Sequence, residues 1–426
     1  MSVALSLFLA CVMLASQLTI HDGLAARSLI EAIAALALAF VGLSARALDV
    51  NLAARSTRGL KVAAAIPAIW IIIQILPTPI GAHSIWAYAN EALGRQSWGH
   101  ISIDPGRTIL ALAFYLSCIS LTLVGIFVAR DRPRAELILS ILTATTAVTT
   151  LILLLGIWGL IATIPDPKDV LSGISGLGIL LSLASIVRSI EQYQEGAKPG
   201  RPALVIISTL IASVISLVIH VAGLSITATL NATLAVMFGV VTFVSLQFIR
   251  RAGLVGWATG LFVATMIIAA VMIVLWRYGA SQPVSPLLQF ASASPEAISI
   301  TQSLLFDTRW LGTGAGTYAA VLPLYQDLGS SLSTPPSTIA LLAIELGQPM
   351  CFLAVALTIW LAIILYQGAL RRGRDSFYSA AAAAAIVALV GGAFCDASLT
   401  NSCVAVVASA LIGLGLAQSL SSREIP

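Results

Sequence analysis

Hydrophobic residues arrive in this chain in near-unbroken blocks of about twenty, the length an α-helix needs to cross roughly 30 Å of hydrocarbon. One block, ALVIISTLIASVISLVIHVAGL, contains no Asp, Glu, Lys or Arg. A helix satisfies its own backbone hydrogen bonds, so it is the natural form of such a block inside a bilayer. Composition removes the soluble alternative. Of 426 residues, 59% are hydrophobic and only 9% charged, whereas a soluble domain carries roughly 25% charged residues. The expected fold class is all-α integral membrane, with residues 1–426 forming a single polytopic domain.

Twelve spans are expected, at 3–20, 28–45, 61–80, 107–128, 136–158, 171–190, 203–222, 226–248, 253–275, 347–367, 376–395 and 401–420. The first lacks the basic n-region and small-residue cleavage site of a signal peptide, so it is read as a retained span. Alternate connections differ in basic residues. One set holds Arg46, Arg55, Arg58 and Lys61, then Arg130, Arg132 and Arg134, then Arg188, Lys198 and Arg201. It continues with Arg250 and Arg251, then Arg371, Arg372 and Arg374, and ends with Arg423. The other set holds only Arg27, Arg95, Arg107, Lys168, Arg277 and Arg309. The positive-inside rule puts the richer set, and both termini, in the cytoplasm of a bacterial-type inner membrane. The net charge of +4 is spread over these short connections. No basic patch forms, so nucleic acid is not an expected partner.

On this orientation two long connections, 81–106 and 276–337, face the periplasm, and loops of that length are usually functional or disordered. SITQSLLFDTRWLG and YAAVLPLYQ in the second are apolar enough to lie on the membrane or to pack on the spans. His21, His83, His100 and His220 all fall at or near the outer face. Within LGTGAGTY, residues 311–318, three alternating glycines suggest a phosphate cradle, but a dinucleotide fingerprint needs a βαβ unit that two flanking spans cannot supply. The favoured reading is a tight backbone turn that packs closely.

Four residues are candidates for chemistry. Arg309 precedes the glycine turn and Arg277 sits where the ninth span ends; an arginine fork suits a phosphate or carboxylate, although either side chain could instead snorkel at the interface. Glu345, in IELGQPM, opens the next span as a helix cap or a general base, with the structural role favoured. His220 is a candidate base or, more simply, a histidine satisfied at the helix end. Asp396, in FCDASLTN, is expected to cap the twelfth span. Cys395 and Cys403 flank the same turn and could pair in an oxidising compartment; two packed thiols are favoured.

Absences narrow the field. The span middles hold essentially no Asp, Glu, Lys or Arg, which disfavours an ion-coupled transporter. No DxD, GxSxG or HExxH occurs, so neither metal-dependent transfer nor serine or zinc hydrolysis has support. No cofactor is expected.

Taken together, RWLGTGAGTYAAVLPLYQ, IELGQPM, ISIDPGRT and VALVGGAFCDASLTNSCVAVVASALIGLGLAQ resemble segments of the O-antigen ligase and polymerase family. The resemblance covers the last 130 residues or so, and the first 250 by topology only. It implies a membrane glycosyltransferase of surface polysaccharide assembly, working without metal on the periplasmic face. Its partners would be a polyprenyl-pyrophosphate-linked glycan, an acceptor glycan or lipid, and the membrane itself. The chain departs from the family pattern in three places. The histidine-asparagine pair falls at Pro336 and Ser337, the serine-arginine pair at Leu230 and Asn231, and EAISITQSLLF lacks the usual basic residue. Two expectations follow: a transferase whose site is rebuilt on Arg309, Arg277, Glu345 and His220, or a non-catalytic relative that acts as partner or scaffold.

Overall fold

The computed structural model describes residues 2–18, 23–44, 58–78, 81–94, 98–161, 167–194, 203–227, 229–253, 285–308, 310–326, 334–371 and 375–420. Within them the chain is helical. The first eight helices are α1 (Ser2–Leu18), α2 (Leu24–Ser44), α3 (Arg58–Ile75), α4 (Ile85–Leu93), α5 (Pro105–Val128), α6 (Arg132–Ile157), α7 (Pro167–Gln194) and α8 (Ala203–Thr227). They are followed by α9 (Leu230–Arg251), α10 (Pro295–Asp307), α11 (Tyr318–Val321), α12 (Thr338–Leu346), α13 (Gln348–Arg371), α14 (Ser376–Cys395) and α15 (Ser402–Leu420). Nine of these, α2, α5 to α9 and α13 to α15, are long and apolar enough to cross a membrane. Two shorter apolar helices, α1 and α3, coincide with the first and third expected spans. Of the expected span 253–275, residues 254–275 lie outside the described residues.

Helix starts follow local capping chemistry. Asp104 accepts from the Arg107 N–H at 3.1 Å ahead of Pro105, which opens α5. Thr229, Ser294 and Ser337 cap α9, α10 and α12 in the same way. Each cap satisfies one of the N–H groups that a helix start leaves over.

Small residues set the packing. The alanine-rich α14 is buried nearly all round and contacts α7, α9, α13 and α15. Where α5 crosses α15, a Cβ on Gly125 would lie 3.1 Å from the Gly413 Cα. In hydrocarbon no hydrophobic force drives helices together, so close approach through small residues supplies the contact energy.

The two ends of the bundle differ. At one, Arg188 pairs with Glu136 at 3.0 Å, and Arg132 bridges Glu136 at 3.3 Å and Asp375 at 3.4 Å. Arg250 pairs with Glu191 at the same end. The other end, where α3 finishes and α5 begins, carries the glycine turn. These are called the arginine end and the glycine end below. The long connections also carry helices of their own: α4 lies within 81–106, and α10 and α11 lie within 276–337. The expected span at 347–367 corresponds to α13, and α12 precedes it as a separate short helix.

Candidate functional site

The glycine end is organised around one buried glutamine. Gln74, one residue before the end of α3, is fully buried. Its Nε2 donates to Leu311 O at 3.0 Å and to Glu345 O at 2.9 Å, while its Oε1 accepts from Ala315 N at 3.3 Å. Trp70, one helical turn earlier, donates its indole N–H to Leu346 O at 2.9 Å. The Gln74 carbonyl accepts from Ser102 N at 3.0 Å, and Ile103 N donates to Thr313 O at 2.9 Å. Three stretches far apart in sequence, 70–75, 102–108 and 311–318, are thereby tied to the end of α12.

The glycine turn closes on that helix end. Thr313 N donates to Ile344 O at 2.9 Å and Gly314 N to Glu345 O at 3.0 Å. Gly312 and Gly314 have φ of 75° and 106°, a region that L side chains rarely adopt. Space forbids a side chain as firmly as torsion does. A Cβ on Gly312 would sit 2.3 Å from Glu345 O, and one on Gly314 would sit 2.4 Å from Ser102 Oγ. The turn is therefore a packing device that lets backbone meet backbone.

It is an anion cradle too, though the anion is internal. The Glu345 carboxylate accepts from Gly316 N at 2.8 Å and from Tyr318 N at 3.0 Å. N–H groups of a glycine-rich turn suit a negative charge, and Glu345 supplies one when ionised. Burial pushes the Glu345 carboxyl up to about 7, against the pull of those two N–H groups. Such a value suits a general acid or base near neutrality, but both oxygens already hold the turn. Glu345 thus has a structural role, but as the partner of the glycine turn and not as the cap of the span that follows.

The remaining candidates are placed as follows. Arg309 and Arg277 lie outside the described residues, although the chain neighbours of Arg309 are anchored here. Thr308 O accepts from Gly312 N at 3.3 Å, and a Cβ on Gly347 would meet Trp310 O at 2.3 Å. His220 is not brought to Glu345. It is fully buried among α6, α7 and α8, with Nδ1 2.9 Å from Thr150 Oγ1. Its ring lies on Gly178, where a Cβ would come within 2.1 Å of the imidazole Cε1, and its Nε2 has no hydrogen-bond partner among the described residues. Of the other histidines, His83 and His100 join the glycine end, where His83 N donates to His100 O at 2.9 Å and His100 Nδ1 lies 2.7 Å from Ile75 O. His21 is outside the described residues.

Asp396 corrects an expectation. It does not cap α15. Its Oδ2 accepts from Ser172 Oγ at 2.9 Å and its Oδ1 from Ser398 N at 3.0 Å. The α15 start is held instead by Asn401 Oδ1, which accepts from Cys403 N at 2.9 Å. Burial raises the Asp396 carboxyl, opposed by those serine hydrogen bonds. The Asp396 carbonyl also accepts from Thr338 N at 2.8 Å, which joins the final hairpin to the start of α12. Cys395 and Cys403 carry no disulfide.

Sequence reasoning missed three members of this site. Gln74 was visible as the one strongly polar residue in IPAIWIIIQIL. Ser102 gave no signal, because its role is to accept the missing side chain of Gly314. Arg107, in a salt bridge to Asp104 at 3.5 Å, lies against the turn: a Cβ on Gly316 would stand 3.1 Å from its carbonyl oxygen. Among the described residues no group of three or more His, Cys, Asp or Glu is placed to hold a metal ion. Comparison with protein-family models and with curated proteins finds no match for this chain.

Proposed function

We propose that this chain handles polyprenyl-pyrophosphate-linked glycan at the periplasmic face of a bacterial inner membrane, as a metal-independent glycosyltransferase that polymerises or ligates surface polysaccharide. On this reading the chain has twelve spans, both termini are cytoplasmic, and the glycine end faces the periplasm. One observation carries the proposal. The four segments whose sequence resembles the O-antigen ligase and polymerase family are tied together at one end of the bundle. RWLGTGAGTY bonds to IELG through the Glu345 carboxylate and backbone. ISIDPG joins it through Ile103 N and Thr313 O, and FCDASLTN bonds through Asp396 O to Thr338 N, at the start of the short helix whose end carries Glu345. Segments kept for unrelated packing reasons need not meet.

The chemistry follows from charge. An acceptor hydroxyl attacks the anomeric carbon of the donor sugar as the bond to the carrier pyrophosphate breaks. The leaving group carries off the electron pair, so it needs positive charge more than covalent help. Arg309, whose chain neighbours are fixed at the glycine lock, is the proposed pyrophosphate contact, with Arg277 supporting it. The acceptor hydroxyl gives up its proton to a weak base, for which Glu345 is the candidate nearest the turn. A second reading has a specific observation behind it. Both Glu345 oxygens are already taken by backbone N–H groups and His220 lies elsewhere, an arrangement that suits a non-catalytic partner in a polysaccharide complex.

A strain lacking the gene, complemented with wild type, Arg309→Lys or Arg309→Ala, separates the two. A bidentate arginine–phosphate contact is worth roughly 1.5–3 kcal/mol per charge-assisted bond, so Arg309→Lys slows transfer on the order of a hundredfold. Full complementation by Arg309→Ala, with protein level unchanged, rules out the catalytic reading.

A further inference from the structure

Residues 78, 81–94 and 98–99 form a concavity that the glycine turn does not use. Its cavity of about 350 Å³ is lined by Thr78, His83, Ser84, Trp86, Asn90 and Trp98, together with small residues. That volume falls in the usual range for small-ligand sites, roughly 300–1,000 Å³. Two features of the lining are specific. It contains two indoles, of which Trp98 is left 66% exposed. Every other polar contributor is an uncharged hydrogen-bonding group, with no Asp, Glu, Lys or Arg among the described lining residues.

The walls are held rigidly. Trp86 donates its Nε1–H to Ser102 O at 3.0 Å and meets the His100 ring edge-on at 5.1 Å. Thr78 N donates to Gly99 O at 2.9 Å and closes the base of the loop. The His83 Nδ1 accepts from Ile85 N at 3.3 Å at the start of α4, so the ring proton sits on Nε2 as a donor. Burial holds the His83 pKa below its ordinary 6.5, which keeps the ring neutral. Ser102 also lies against Gly314 of the glycine turn, so it links Trp86 of the cavity lining to that turn.

We infer that this cavity is a sugar subsite that binds one neutral pyranose unit of the glycan beside the glycine lock. The electron-rich face of an indole attracts the polarised C–H bonds on one face of a pyranose ring. Neutral amide, imidazole and hydroxyl groups pair with the ring hydroxyls, and each of those must find a partner when water is displaced. The described lining offers no charged side chain to a phosphate or a uronic acid carboxylate, so the unit assigned to it is a neutral one. The assignment rests on the glycan-handling function proposed above and adds the chemical class of the unit held there.

The competing role for an exposed tryptophan at a membrane surface is an interfacial anchor. Purified full-length protein in nanodiscs is titrated with neutral trisaccharides (maltotriose, cellotriose, mannotriose and chitotriose) and with trigalacturonate, and followed by saturation-transfer NMR and calorimetry. At least one neutral trisaccharide binds saturably and trigalacturonate does not. Trp98→Ala weakens binding at least tenfold, Trp98→Phe retains most of it, and Ala87→Phe, at an exposed helix position, blocks it by filling the cavity. Absence of binding by all four neutral sugars overturns the inference, as does equal binding by Trp98→Ala. Quenching of Trp98 by spin-labelled lipid to the level of a buried interfacial residue overturns it too. Because binding is read without turnover, wild-type polysaccharide production with no sugar binding removes the subsite and leaves the function standing. Binding with no polysaccharide phenotype on deletion removes the function instead.

Discussion

Glu345→Gln tests whether the carboxylate holds the glycine turn, because it removes the charge and one acceptor while keeping the shape. Two effects compete. The wild-type carboxyl rises from an ordinary value of 4.5 to about 7 on burial. A folded-state value above the unfolded one gives stability that is fully present below about 4.5 and is lost as pH rises through about 7. At about 1.4 kcal/mol per pH unit of displacement, the loss is about 3 kcal/mol. The amide does not titrate, so the variant escapes this loss. It suffers another, since its NH2 cannot accept the bond that Gly316 N or Tyr318 N now makes. A buried N–H left unpaired costs about 1–3 kcal/mol. The variant is therefore less stable than wild type at pH 4.5 by about 1–3 kcal/mol, and the gap closes or inverts by pH 8. Other titrating groups, Asp396 among them, are common to both proteins and cancel in the difference. Thermal unfolding in nanodiscs across that range measures it. A gap that stays constant, or widens toward pH 8, refutes the burial argument.

Gly314→Ala drives a Cβ to 2.4 Å from Ser102 Oγ at a φ of 106°, and should destabilise the protein by at least 3 kcal/mol, combining overpacking with backbone strain; a wild-type melting profile contradicts the lock. Gly178→Ala drives a Cβ into the His220 ring, and pairing it with His220→Ala should recover at least 1 kcal/mol in a double-mutant cycle; additive losses would mean the two residues do not press on each other. In a cysteine-free background Ser299→Cys on α10 should react with an impermeant maleimide from the periplasmic side alone, and labelling from the cytoplasm overturns the orientation.

The membrane-spanning helical class was legible because a bilayer admits few solutions, and a block such as ALVIISTLIASVISLVIHVAGL leaves no choice of class. The glycine turn was legible as a tight turn, since three alternating glycines signal backbone that must meet backbone. Its partner was legible only in kind. Glu345 stood out as an acid at a helix boundary, but nothing in IELGQPM shows that Gly316 and Tyr318 satisfy it, because that pairing depends on how three distant segments converge. The same holds for Gln74 and Ser102, whose importance comes from their position opposite 311–318. Asp396 illustrates a subtler limit. An acid before a helix reads as its cap, yet the Ser398–Thr400 turn intervenes, so Asn401 takes that role while Asp396 turns toward Ser172. Nothing in the sequence showed the neighbourhood of His220, since Thr150, which bonds it, and Gly178, which makes room for it, lie on other helices.

The central claim is that this chain moves lipid-linked glycan, and the surface-polysaccharide profile of a deletion strain tests it most directly. Extracted polysaccharide and carrier-lipid intermediates are resolved by size and compared with those of the strain complemented by wild type and by Arg309→Lys. The account predicts loss of polymerised or ligated surface glycan, accumulation of the undecorated carrier-linked unit, restoration by wild type, and failure of Arg309→Lys to restore. An unchanged profile on deletion, with no build-up of carrier-linked intermediate, contradicts it.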